Sequence, residues 1–350
     1  MSAIYHLVIE PELWAGLGAG GYRPARFAED GFVHCCADRE SSLAVARDYF
    51  ADAAAPVLLL EVARAPLGRA LVFETPAPIP GAATAHLATA ALFPHVYGPL
   101  GWRALRGGAR LARNGTGFVW PERFAPLGAL LADALAARLR AGEARGVPSL
   151  RALRRGLSRA LRGAPARLVI ELATALVGNP GRGARLVASE LVRHHPGALA
   201  ALRARDVRRL AGTLASWDDV DIFACAISGQ VYREGGIGDA ELARWARSSD
   251  RWWRRAALVS TVPLNVKAQG GVGDARRTLR TCKLLVADRD DMVVKALSWA
   301  LRALAVRDAA AVRRFVAAQG ERLAPRVRRE VGHKLRTGLK NPRRAKRAAR

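Results

Sequence analysis

Long apolar runs are missing from this 350-residue chain. Nowhere do about 18 hydrophobic residues follow one another, which excludes a transmembrane helix. The opening stretch, MSAIYHLVIEPELW, lacks the basic region, apolar core and small-residue cleavage site of a secretory signal. Cysteine is scarce as well: Cys35, Cys36, Cys225 and Cys282 are the four present. Cys35 and Cys36 are neighbours that can hardly bridge each other, and no CxxC pair offers the spacing that holds zinc. These absences lead us to expect a reduced, cytoplasmic protein without metal or cofactor. A dinucleotide fingerprint is also missing in all but letters. Gly16, Gly18 and Gly21 of GLGAGGY satisfy GxGxxG, yet no strand pattern precedes them and no helix pattern follows.

Acidic residues are short in one part of the chain only. Residues 1–126 carry 11 basic and 11 acidic side chains, so the whole formal net charge of +26 falls on residues 127–350. A preference for arginine codons would explain why arginine dominates the basic residues, but not why the first 126 residues balance. So strong a field suits a polyanion, and nucleic acid is the partner to expect. Hydrophobic residues at 51% and a mean hydropathy of +0.02 describe a globular chain, long enough for two domains with separate cores.

The two parts differ in texture. IYHLVI, GFVHC, PVLLLEV and ALVFET are short apolar runs that read as strands, and Asp38 is placed to cap a helix running to Phe50. Residues 1–118 are therefore expected to form a small α+β domain, with 119–126 as a linker punctuated by Pro121 and Pro126. From 127 to 340 amphipathic helices follow one another, each with an Ala/Leu/Val stripe opposite an Arg face. Helix pairs recur every 35 to 45 residues or so, which predicts an all-α HEAT-like solenoid whose basic concave surface cradles a duplex. Residues 341–350 read as a solvated basic tail.

Three helical segments of this second part carry unusual residues. In SWDDVD, Trp217 and Asp221 stand at i, i+4 on one helical face, while Asp218 and Asp219 suit the helix start. In DRWWRRAALVS, Trp252 and Arg255 share a face, and Arg254 adds charge beside them. In MVVKALSWALRALAV, Trp299 interrupts an aliphatic stripe. Taken singly, each tryptophan is ordinary core. Together they supply an aromatic face for a cationic base, a carboxylate for a developing oxocarbenium ion, and an arginine for phosphate. Those are the parts needed to break the N-glycosidic bond of an alkylated base.

These segments resemble the HEAT-like-repeat DNA alkylation-repair glycosylases, the AlkD-like family. GVPSLRALRRGL, SWDDVD, WWRRAALVS, VVKALSWALR and KLRTGLKNPRR match its motifs in order over nearly all of residues 127–345. The resemblance implies a DNA glycosylase that removes cationic N3- or N7-alkylpurines from duplex DNA without flipping the base, acting as a monomer. It implies that Trp217 and Trp299 contact the lesion-bearing nucleotide, that Asp221 stabilises the sugar cation and positions water, and that Arg255 contacts the backbone. Trp252, Arg254, Lys295, Lys340, Arg343 and Arg344 are further candidates for holding DNA. The chain departs from the family at Ser216, where a second tryptophan is common.

IYHLV, EDGFVHC, LLLEV and FPHVYGPL resemble a second family, domain of unknown function 952, over roughly residues 2–108. That resemblance implies an ADP-ribosyltransferase-like fold and no established chemistry. His6, Arg23, His34, His95 and Tyr97 could line a pocket for phosphate or a nucleotide. Equally, histidine and tyrosine tips could satisfy buried hydrogen bonds in a small core. Three functions remain to be weighed: a glycosylase, a non-catalytic nucleic-acid-binding module fused to a ligand-binding domain, and a protein-interaction scaffold. The charge of +26 argues against the last.

Overall fold

The computed structural model describes residues 2–75, 92–115, 117–179 and 182–339. Lys340, Arg343, Arg344 and the basic tail lie outside the described residues. The chain divides into two compact units, residues 1–179 with 194–198, and residues 180–193 with 199–350.

The first unit begins with β1 (Ala3–Ile9), α1 (Glu10–Gly16), β2 (Leu17–Gly18), β3 (Gly21–Tyr22), α2 (Phe27–Asp30) and β4 (Val33–His34). It continues through α3 (Arg39–Phe50), β5 (Val57–Ala63), β6 (Leu71–Glu74), β7 (Phe93–Val96) and β8 (Leu105–Arg110). β9 (Ala112–Asn114), β10 (Gly117–Val119) and β11 (Ala125–Pro126) complete its strands. An antiparallel sheet has the order β1-β5-β8-β11, and a smaller one the order β4-β7-β6. The expected strand runs all appear in these sheets. β5 is the central hydrophobic strand, with Leu58, Leu59 and Leu60 at most 1% exposed. Leu7, Val57 and Leu59 form one core cluster with Ala46 of α3 and Cys36. α3 starts where its cap is: the Asp38 carboxylate accepts the Ser41 amide at 2.9 Å, and the Ser41 hydroxyl closes the box. Gly21, at φ +126°, allows the chain to pass Leu100, whose carbonyl would lie 2.2 Å from a Cβ at that position.

α4 (Leu127–Arg140), α5 (Gly146–Ala160) and α6 (Ala166–Val177) belong to this same unit. α4 packs on both β8 and α6, and Leu127, Leu131 and Leu135 are fully buried there. The strand-bearing unit thus runs well past the expected linker at 119–126. The Ala/Leu stripe of α4 serves the sheet as well as the neighbouring helix.

The second unit is helical: α7 (Arg182–His194), α8 (Ala198–Ala201), α9 (Ala204–Ala211), α10 (Trp217–Phe223), α11 (Gly229–Arg233) and α12 (Asp239–Ala246) come first. α13 (Arg251–Val259), α14 (Ala275–Leu284), α15 (Asp291–Ala305), α16 (Ala309–Gln319) and α17 (Pro325–Thr337) follow. Two series interleave. α7, α10, α13, α15 and α17 begin 34 to 40 residues apart, and α9, α12, α14 and α16 begin 34 to 36 apart. Within the first series α13 packs on α10 and α15, and α15 on α17; α12 packs on α14 in the second. Ser216, Asp250, Asp290 and Asp308 cap α10, α13, α15 and α16 with their side chains. Among the described residues no helix is long and apolar enough to cross a membrane.

Candidate functional site

Asp221 lies one turn into α10, behind the Ser216 cap. The two acids before it divide as their positions suggest. Asp218 and Asp219 occupy the first turn, where the Asp219 carboxylate accepts the Ser216 hydroxyl at 2.9 Å and the Arg185 Nε at 3.1 Å. Trp217 opens the helix with its ring 53% exposed, and Asp221 stands four residues on.

α13 brings Arg255 to Asp221 as a two-pronged pair. Its Nε donates to Oδ1 and its Nη2 to Oδ2, each at 3.0 Å, while Nη1 donates to the Met292 carbonyl at the start of α15 at 2.7 Å. Arg255 is 5% exposed, so its fork is spent on fixing this carboxylate and joining α10, α13 and α15. Burial lifts the Asp221 pKa to about 6, and the Arg255 charge offsets only part of that rise. The carboxylate is therefore mostly ionised at neutral pH and sits in a medium where its charge acts strongly.

The other tryptophans separate into two groups. Trp299 on α15 and Trp252 on α13 are half-buried, and the Arg251 guanidinium lies 4.7 Å above the Trp252 ring. Trp253, also half-buried, packs on Trp245 at 5.1 Å and on Phe223 at 6.3 Å, which seats α13 against α10 and α12. Arg254 pairs with Asp288 at 2.8 Å and donates to the Ser248 and Ser249 carbonyls, and Lys295 pairs with Asp291 at 2.6 Å. Of the cations expected to hold DNA, the two among the described residues, Arg254 and Lys295, are thus partnered within the unit.

A turn of π-helix, Ala224–Ser228, follows α10 and leads directly into α11. Such widened turns concentrate at functional sites. It carries Cys225, whose thiol burial pushes up to about 12, so it stays protonated and is no nucleophile. Gly229 closes the turn because a Cβ there would meet the Ala224 carbonyl and Pro263 at 2.6 Å.

Sequence reasoning missed Arg185, Asp288 and Asp291. They belong to a ladder of pairs with nearly constant spacing: Arg185–Asp219, Asp221–Arg255 and Arg254–Asp288 are each 34 residues apart, and Asp291–Arg326 is 35. An arginine–aspartate recurrence at that interval was the signal available.

In the first unit, β4, β6 and β7 gather His34, His95 and Tyr97 around Phe32 and Glu74, two residues the sequence reading did not select. Phe32 stacks on His95 at 4.1 Å and lies 5.4 Å from Tyr97, and the His34 ring is edge-on to His95 at 5.4 Å. The Glu74 carboxylate accepts from Tyr97 Oη at 2.9 Å and pairs with His95 Nδ1 at 2.9 Å. His6 does not join this face. It is 6% exposed, hydrogen-bonded to the His34 carbonyl at 2.7 Å, and burial depresses its pKa to about 4. Arg23 is exposed and lies over Phe27 instead. A cleft of about 470 Å³ also opens in this unit, lined by Trp14, Arg138, Leu153 and Leu157, and contains none of the expected site residues. Among the described residues no three His, Cys, Asp or Glu are placed to hold a metal.

The second unit is thus a run of capped helices that holds an arginine-fixed carboxylate beside an exposed tryptophan. Residues 144–335, more than half of the chain, match the family model of DNA alkylation repair enzymes, and the chain belongs to that family. Its role is in DNA repair and its substrate is DNA. Residues 8–107 match domain of unknown function 952. Among solved structures, protein CC0527 from Caulobacter crescentus aligns at 28% identity over 33% of this chain and 92% of that one, with a TM-score of 0.28. No curated protein matches the chain.

Proposed function

We propose that the protein is a DNA N-glycosylase that excises cationic N3- or N7-alkylated purines from duplex DNA. One observation carries the reading: a single carboxylate, Asp221, is held in place by both prongs of Arg255 and shares its helix face with exposed Trp217. As the bond between C1′ and the purine nitrogen breaks, its electron pair leaves with the base and cancels the positive charge of alkylation. The sugar becomes an oxocarbenium ion, and the Asp221 charge stabilises it. Water then adds at C1′ and passes its proton to Asp221. Trp217 and Trp299 contact the damaged nucleotide, whose weak pairing and positive charge spare the enzyme a flipping pocket.

The 34-to-40-residue recurrence of helix starts from α7 onward supports a HEAT-like solenoid in the part of the expected 127–340 domain that forms the second unit. For the other domain, matched over residues 8–107 to domain of unknown function 952, the ADP-ribosyltransferase-like fold remains what the resemblance implies. Arg254, Lys295, Lys340, Arg343 and Arg344 are the candidates for phosphate contact, the first two of them also paired with Asp288 and Asp291. The test is release of base from N7-methylguanine DNA by the purified chain. Release by the wild type and none by Asp221→Asn supports the reading. Binding without release, with affinity falling steeply in salt, would instead identify a non-catalytic DNA module.

A further inference from the structure

The cluster on β4, β7 and β6 has a charge balance that decides what it can hold. Asp30 accepts from His34 Nε2 at 3.3 Å and is shared with Arg26, which also approaches Glu29 at 3.8 Å. Glu74 is the other charged member. Hydrogen bonds from His95 and Tyr97 hold its carboxyl below the usual range, and burial together with the neighbouring His95 and Arg26 holds His34 below its ordinary value despite Asp30. The Asp30 charge is thus paired with Arg26, the Glu74 carboxylate takes its hydrogen bonds from His95 and Tyr97, and His34 is neutral at physiological pH. The phosphate expected from the sequence would be repelled here.

A planar cation would not. The Tyr97 ring is 47% exposed, and Phe32 braces it from behind. The Glu74 side chain keeps 38% of its surface, and a carboxylate accepting from one tyrosine and one histidine retains acceptor positions for further N–H donors. An exposed aromatic face beside a carboxylate with spare acceptors is the chemistry that recognises an N-alkylated guanine. The ring carries the positive charge, and the N1–H and amino edge donates to the carboxylate.

We propose that the face formed by Phe32, His34, Glu74, His95 and Tyr97 binds an N-alkylated purine cation, carried in a nucleoside, stacked on Tyr97 and hydrogen-bonded to Glu74. This proposal does not rest on the chemistry of Asp221. If both hold, one domain binds the cationic nucleoside form of the base that the other removes.

The experiment uses the full chain carrying Asp221→Asn, so that no ligand is consumed, and titrates N7-methylguanosine by calorimetry at mildly acidic pH, where the nucleoside carries its full charge. Guanosine and inorganic phosphate are the comparison ligands. N7-methylguanosine is expected to bind at least tenfold more tightly than guanosine. Glu74→Gln should reduce it to the level of guanosine, and Tyr97→Ala should remove binding without relying on that first variant to fold. Equal affinity for guanosine, tighter binding of phosphate, or binding unchanged in both variants would overturn the proposal. So would binding that survives Tyr97→Ala but is lost with Trp217→Ala, because the ligand would then sit in the other domain.

Discussion

Replacing Asp221 by asparagine removes a charge and keeps the shape, so its effect on stability can be worked out from the burial of this group. Its pKa rises from 3.8 to about 6 in the folded protein. Two pKa units correspond to ~3 kcal/mol. Because the folded value is the higher one, the stabilisation belongs to the protonated form: it is fully present below the unfolded value and is lost as pH climbs through about 6. The asparagine variant has no such loss. Near pH ~4 a protonated carboxyl and an amide leave Arg255 equally without a countercharge, and the two proteins converge; by pH ~8 the variant should be the more stable by ~3 kcal/mol. Urea unfolding followed by tryptophan fluorescence at the two pH values measures this, since five of the eight tryptophans lie beyond residue 126. A variant that is less stable at high pH, or a difference equal at both, would refute the argument. The Arg255 pair would then outweigh burial. The predicted gain, coupled to loss of base release, marks Asp221 as a site kept for chemistry at the expense of stability.

Base release by the wild type should fall as pH drops through about 6, because protonation removes the charge that faces the sugar cation; a profile flat from about pH 5 to about pH 8 would show that Asp221 is not the group. Arg255→Ala removes the charge that offsets burial, so the acid limb of the same profile should move to higher pH, and an unmoved limb would deny the pair its role. Gly229→Ala should lower stability by ~1–3 kcal/mol through overpacking against the Ala224 carbonyl and Pro263, measured by thermal or urea unfolding. Asp38→Ala should cost ~1 kcal/mol by opening the capping box of α3, in the same measurement.

Much of the local structure was legible. Asp38 announces α3, apolar runs announce β1, β4, β5 and β6, and the spacing of Trp217 and Asp221 places both on one face of α10. These features depend on residues within a few positions of one another. What escaped depends on partners far along the chain. Glu74 lies in a short strand with no distinguishing spacing, and it becomes notable only when β7 sets His95 opposite Val72 and carries Tyr97 past the edge. Arg255 looks from the sequence like a hand for phosphate. Only the packing of α13 between α10 and α15 shows its fork closed on Asp221 and Met292. The π-turn after α10 has no periodicity to read, and α4 could not be allotted to the strand-bearing unit because its apolar stripe suits a sheet as well as a helix.

The ladder of arginine–aspartate pairs limits how this chain can change length. Three rungs join positions 34 residues apart and a fourth 35 apart, and each ties a helix to the corresponding helix of the next pair. Removing one residue inside a helix rotates everything after it by about 100° and misaligns the rung there. The rungs alternate in direction, Arg185 and Arg254 preceding their aspartates and Asp221 and Asp291 preceding their arginines, so removing a block of about 34 residues would set Arg185 against Trp253 in place of Asp219. Such a domain loses a tie with any helix pair it gains or loses, and changes of length are confined to the loops between helices.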